Sequence, residues 1–190
     1  MLIEALIFAL VISMLLGGKI TRLGQLVLQG AWLVPVALLI QSGLYWSAVR
    51  EIGLTPSWLI QSFGTGSYFL LLIFTWRNRT CPGMIWIALG ILLNTIVIGI
   101  NGGVMPVDPL FLPEESRNAL LGGQGTHGLM TPMTRLSFLA DRFYLNILGF
   151  KQVFSVGDIL IDIGIFLLIF RTMVRKQKEH TLDSRALKIS

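Results

Sequence analysis

Long apolar runs separated by short polar punctuation organise this chain, and five of the runs predict helices. They cover about 2–16, 26–49, 57–76, 84–100 and 155–170. The first has Glu4 near its start, and the second carries Pro35 and ends in Tyr45 and Trp46. The third contains Gly64-Thr65-Gly66, and the fourth has Asn94 at its centre. The last belongs to "VFSVGDILIDIGIFLLIF" and holds Asp158 and Asp162. Runs of this kind predict an all-α polytopic membrane protein of about five transmembrane helices. A span needs about twenty residues, so the first and fourth would have to tilt or thin the bilayer.

Between the fourth and fifth runs lies one long segment, 101–154. It opens "NGGVMPVDPLFLPEE", where two glycines and closely spaced prolines oppose a regular helix, and Asn101 is placed to cap the fourth one. Further on, Leu136, Leu139, Phe143 and Ile147 recur at helical spacing and predict an amphipathic interfacial helix. So many apolar residues make this segment a folded cap on the helices. Residues 1–174 then form a single helical domain, and 175–190 a basic tail.

Composition supports the membrane reading. The chain is 54% hydrophobic and only 13% charged, where a soluble domain has about a quarter of its residues charged. The first run lacks a basic flank and a small-residue cleavage site, so it reads as a retained helix. Basic residues cluster at Lys19 and Arg22, at Arg77 and Arg79, and from Arg171 onward. By the positive-inside rule this sets the N-terminus outside, the C-terminus in the cytoplasm and the 101–154 segment on the extracytoplasmic face. The partners to expect are the lipid bilayer, anionic headgroups at the basic tail, and a membrane protein partner or second copy of the chain. The tail lacks the aromatic interleaving of a nucleic-acid module.

Candidate chemistry is sparse. The single Cys81 excludes an internal disulfide and a multi-cysteine metal site. No zinc-protease, nucleophile-elbow, phosphate-loop or dinucleotide motif appears, so no cofactor or metal is expected. Ser155 and Asp158 have the spacing of a capping box, which gives Asp158 a structural role. Asp162 lies one turn deeper and needs a proton or a partner, with Arg142, Arg135, Lys151 and Asn94 as the choices. His127, among glycines, reads as a loop hydrogen-bonder. Asn101, His127, Arg142 and Asp162 together make a candidate polar site.

Two resemblances follow from particular motifs. "NGGVMP" after a span, "LADRF" before the last helix and "VFSVGD" at its start resemble a bacterial integral-membrane family, family 5317 of the domains of unknown function. That likeness implies a multi-pass protein of the bacterial cytoplasmic membrane and no particular chemistry. "ADR" followed by "FSVGD" is also similar to the two aspartate motifs of lipoprotein signal peptidases. That likeness implies an intramembrane aspartyl peptidase with Asp141 and Asp158 as the catalytic pair and Asn101 near the substrate. Phe138 and Gly157 stand where those enzymes have asparagine and alanine. The leading expectation is a non-enzymatic membrane component or assembly subunit with a polar site on its outer face. A peptidase and a small-molecule or ion carrier are the alternatives.

Overall fold

The computed structural model describes residues 2–49, 57–112, 114, 117, 126–147 and 150–174. The basic tail, the side chains of Tyr45 and Trp46 and residues 148–149 lie outside the described residues. Among the described residues five long helices carry the fold: α1 (Leu2–Leu15), α2 (Leu33–Val49), α3 (Ser57–Arg77), α4 (Met84–Ile100) and α5 (Val156–Val174). They pack as a row in which α1 lies on α5, α5 on α4, α4 on α3 and α3 on α2. Asn78 pins the row to the connection before α2, donating from Nδ2 to the Gln29 carbonyl at 2.8 Å and accepting from its amide at 2.7 Å.

Among these described helices none is both long and apolar enough to cross a membrane. This overturns the expectation of a polytopic membrane protein with five transmembrane helices. With it fall the outside-to-inside topology and the multi-pass cytoplasmic-membrane location. The physical reason is length and interruption. α1 has 14 residues and α2 and α4 have 17 each, which at 1.5 Å per residue gives roughly 21–26 Å against a hydrocarbon core of about 30 Å. The second apolar run shrinks to α2 because Gly30 turns the chain at φ 67 and Pro35 fits only the first turn of a helix beginning at Leu33. α3 breaks its apolar run with "QSFGTGS", and α5 carries Asp158, Asp162 and Arg171.

The described part of the 101–154 segment folds over the end of α4 and the start of α5, but not as expected. There is no amphipathic helix over 136–147. Leu136 takes a left-handed backbone conformation, a short 3-10 turn spans Ser137–Leu139, and Phe143–Ile147 is a strand, β3. Phe143, Leu145 and Ile147 recur at the strand period, and β3 pairs antiparallel with β4 (Phe150–Phe154). The Phe143 and Phe154 rings stack at 5.8 Å across that pair. A second small sheet is parallel, with β1 (Met105–Val107) beside β2 (His127–Leu129). Two consecutive glycines with positive φ, Gly102 and Gly103, deliver the chain from α4 into β1.

Buried residues cluster in three places. Leu33, Phe74, Met84, Ile87 and Ile91 fill the space between α2, α3 and α4. Val97, Ile98, Met105 and Ala140 join α4 to the cap, and Ala9, Ile169 and Met173 join α1 to α5. Much apolar surface stays uncovered, with Phe8, Leu39 and Trp76 each more than 60% exposed.

Candidate functional site

The last helix begins with a closed polar unit. Ser155 Oγ accepts from the Asp158 amide at 3.0 Å, and Asp158 Oδ2 accepts from the Ser155 amide at 3.0 Å. This reciprocal arrangement satisfies two donors that a helix start otherwise leaves free. Asn94 of α4 completes it by donating from Nδ2 to Asp158 Oδ1 at 2.9 Å and accepting from Ser155 Oγ at 3.0 Å. Ser155 and Asn94 are both buried, so each polar atom needs such a partner.

Glycines let the two helices come close enough for these bonds. A Cβ at Gly157 would stand 2.0 Å from Asn94 Oδ1, and one at Gly90 would stand 2.3 Å from the Gly157 carbonyl. One heptad away, Gly83 and Gly164 meet in the same manner. An antiparallel seam of glycines therefore sets the α4–α5 distance, and the polar unit sits at its capped end.

Asp141 lies in the cap above this junction. Its amide donates to the Pro106 carbonyl at 3.0 Å, and its carbonyl accepts from the Asp108 amide at 2.8 Å. The residue thus forms the second edge of β1, with Val107 opposite. Its side chain points inward and the residue is 6% exposed. Oδ1 is buried and has no hydrogen-bond partner among the described residues, while Oδ2 is 3.7 Å from His127 Nε2, beyond hydrogen-bonding distance. Burial, reinforced by the Asp158 charge, pushes the Asp141 carboxyl up to about 8.

His127 and Tyr68 share these surroundings. The His127 side chain keeps half its area exposed, yet the protein packed around it still lowers its pKa, with the Asp158 charge opposing. Its Nδ1 lies 3.2 Å from Thr126 Oγ1. Burial pushes the Tyr68 phenol up to about 12, and the charges of Asp158 and Asp141 add to that. At neutral pH the site therefore holds a protonated acid at Asp141, a neutral imidazole at its open side and a buried phenol. Asp158 is held fast beneath them.

The remaining candidates disperse. Asn101 caps α4, donating to the Val97 carbonyl at 2.8 Å, and clamps Arg135 by donating to its carbonyl and accepting from its amide, each at 2.9 Å. The Arg142 side chain is exposed beside Asp141. Asp162 sits half-buried one turn along α5, where burial pushes its carboxyl up to about 6. Asn94 serves Asp158 rather than Asp162, and the Lys151 side chain lies outside the described residues. Among the described residues no three His, Cys, Asp or Glu side chains gather as a metal site. Tyr68 was missed in the sequence; its only signal was a lone phenol just after "GTGS" in an apolar run.

Comparison with known proteins places the chain in a family. Residues 25–170 match the family of unknown function DUF5317, and this chain belongs to that family. A Thermotoga maritima protein, described as an uncharacterized protein, is 31% identical over 189 residues, covering 97% of each chain. No solved structure matches. The family description carries no activity, so the site alone bears on function.

Proposed function

We propose that this chain is a non-enzymatic binding component whose working group is the protonated carboxyl of Asp141. The observation that carries the reading is the buried Oδ1, which has no partner among the described residues. A buried polar atom left unsatisfied costs about 1–3 kcal/mol, a cost that a ligand donor would remove. A neutral carboxyl offers one donor and one acceptor side by side, which suits an uncharged amide or hydroxyl group. The half-exposed His127 marks the open side of the site. A small primary amide such as propionamide should stabilise the parent protein against heat and leave Asp141→Leu unmoved. Equal stabilisation of both would remove the support for this reading.

A second reading is favoured by one specific observation, the action of the Asp158 charge on Asp141. Two acids that sense each other, one keeping its proton, are the arrangement of a hydrolytic aspartate pair. Its weakness is that both Asp158 oxygens are already engaged by Asn94 and Ser155. Peptide hydrolysis abolished by Asp141→Asn and by Asp158→Asn, with the fold retained, would favour the enzyme over the binding component.

A further inference from the structure

A groove of about 710 Å³ runs between α3 and α4 on the half of α4 away from the cap. Its size falls within the range of roughly 300–1,000 Å³ for small-molecule sites. Phe69 and Ile73 of α3 face Leu89 and Leu92 of α4 across it, and all four are exposed. From Phe69 to Trp76 the apolar wall is about 10 Å long by helix rise.

The chemistry of the groove is one-sided. Thr75 lines it, but its hydroxyl is spent on the Leu72 carbonyl at 2.9 Å. Among the described residues that line it, none is acidic. At the turn between the helices stands Arg79, whose guanidinium lies 5.0 Å from the Trp76 ring and donates from Nη1 to the Trp76 carbonyl at 3.2 Å. That fixes the cation at the groove's end and leaves most of its five donors for another group.

We propose that this groove binds a free single-chain aliphatic carboxylate, its chain along α3 and α4 and its carboxylate on Arg79. An apolar trough ending in one oriented guanidinium matches a ligand that is apolar along its length and anionic at one end. A second copy docked groove on groove about a two-fold axis would cover the apolar walls but would bring another Arg79 rather than an anion. The occupant is thus set by charge as well as by shape.

Dodecanoate below its micellar concentration is the probe, with dodecyltrimethylammonium as a cation of equal chain length and binding followed by titration calorimetry. The parent should bind dodecanoate saturably, one per chain. Arg79→Gln should weaken it about tenfold, as loss of one charge-assisted contact implies, without weakening the ammonium compound. Ala88→Phe, which fills the groove wall, should weaken both while melting like the parent. Unsaturable uptake, or equal dodecanoate affinity in Arg79→Gln, would overturn the proposal. So would binding to phosphatidylglycerol vesicles without binding of free dodecanoate, or a dimer that Ala88→Phe dissociates.

Discussion

Replacing Gly157 with alanine tests whether the glycine seam and the polar unit depend on one distance. The new Cβ would stand 2.0 Å from Asn94 Oδ1, 2.6 Å from its Cγ and 2.7 Å from the Gly90 carbonyl oxygen. Asn94 can swing away, but only by giving up its bonds to Asp158 and Ser155. The Gly90 oxygen is backbone and moves only with α4. Overpacking of this kind costs about 1–3 kcal/mol. Losing the hydrogen bond to a charged carboxylate adds about 1.5–3 kcal/mol, and better helix propensity returns about 1 kcal/mol. The net loss should be about 1.5–5 kcal/mol. Gly66 in α3 is the control, because a Cβ there meets nothing within 4 Å. Gly66→Ala should raise stability by about 0.4–1 kcal/mol, as chemically the same change without a clash. Denaturant titration of the parent and both variants measures the difference. A Gly157→Ala protein as stable as Gly66→Ala would refute the seam.

Further outcomes follow from the same geometry. Ser155→Ala removes the cap acceptor and the donor to Asn94, so it should cost about 2 kcal/mol by denaturant titration, about one for each bond. Ser155→Thr, which keeps the hydroxyl, should recover most of that. Stability should also depend on pH through Asp141. Its folded value of about 8 lies above the ordinary 3.8, so the stability it contributes is full below 3.8 and lost as pH rises through 8. The lowered His127 acts oppositely, its contribution being present above the ordinary 6.5 and lost as pH falls. Between pH 6.5 and 8 Asp141 therefore dominates this pair, with a fall of at most about 1.4 kcal/mol per pH unit. Melting curves across that window should be flatter in Asp141→Asn than in the parent, and parallel slopes would count against a protonated Asp141.

Local signals read well from the sequence. The capping spacing of Ser155 and Asp158 shows at a glance, because both partners lie within one turn. Asn94 stood out as an amide in the middle of an apolar run, but its partner did not, since only the α4–α5 approach selects Asp158 over Asp162. The start of the second helix was overread, while the fourth keeps its expected bounds and the last runs four residues further. Apolar residues continue before α2 while Gly30 and Pro35 decide where it starts. The cap was misread because Leu136, Leu139, Phe143 and Ile147 fit a helical period, while Phe143, Leu145 and Ile147 fit a strand period equally well. What decided it was pairing with β4, a partner beyond any local window. Asp141 was picked out by its motif, yet its burial comes from β1, some 35 residues earlier, and no spacing around "LADRF" records that.

The central claim is that Asp141 holds a proton at neutral pH in a buried site with one unsatisfied oxygen. Carbon-13 NMR of the aspartate side-chain carboxyls, assigned by comparison with Asp141→Asn, measures this directly. One carboxyl, absent from the variant, should stay protonated at pH 7 and titrate near 8. If that carboxyl is already ionised at pH 5, the proton-holding site does not exist.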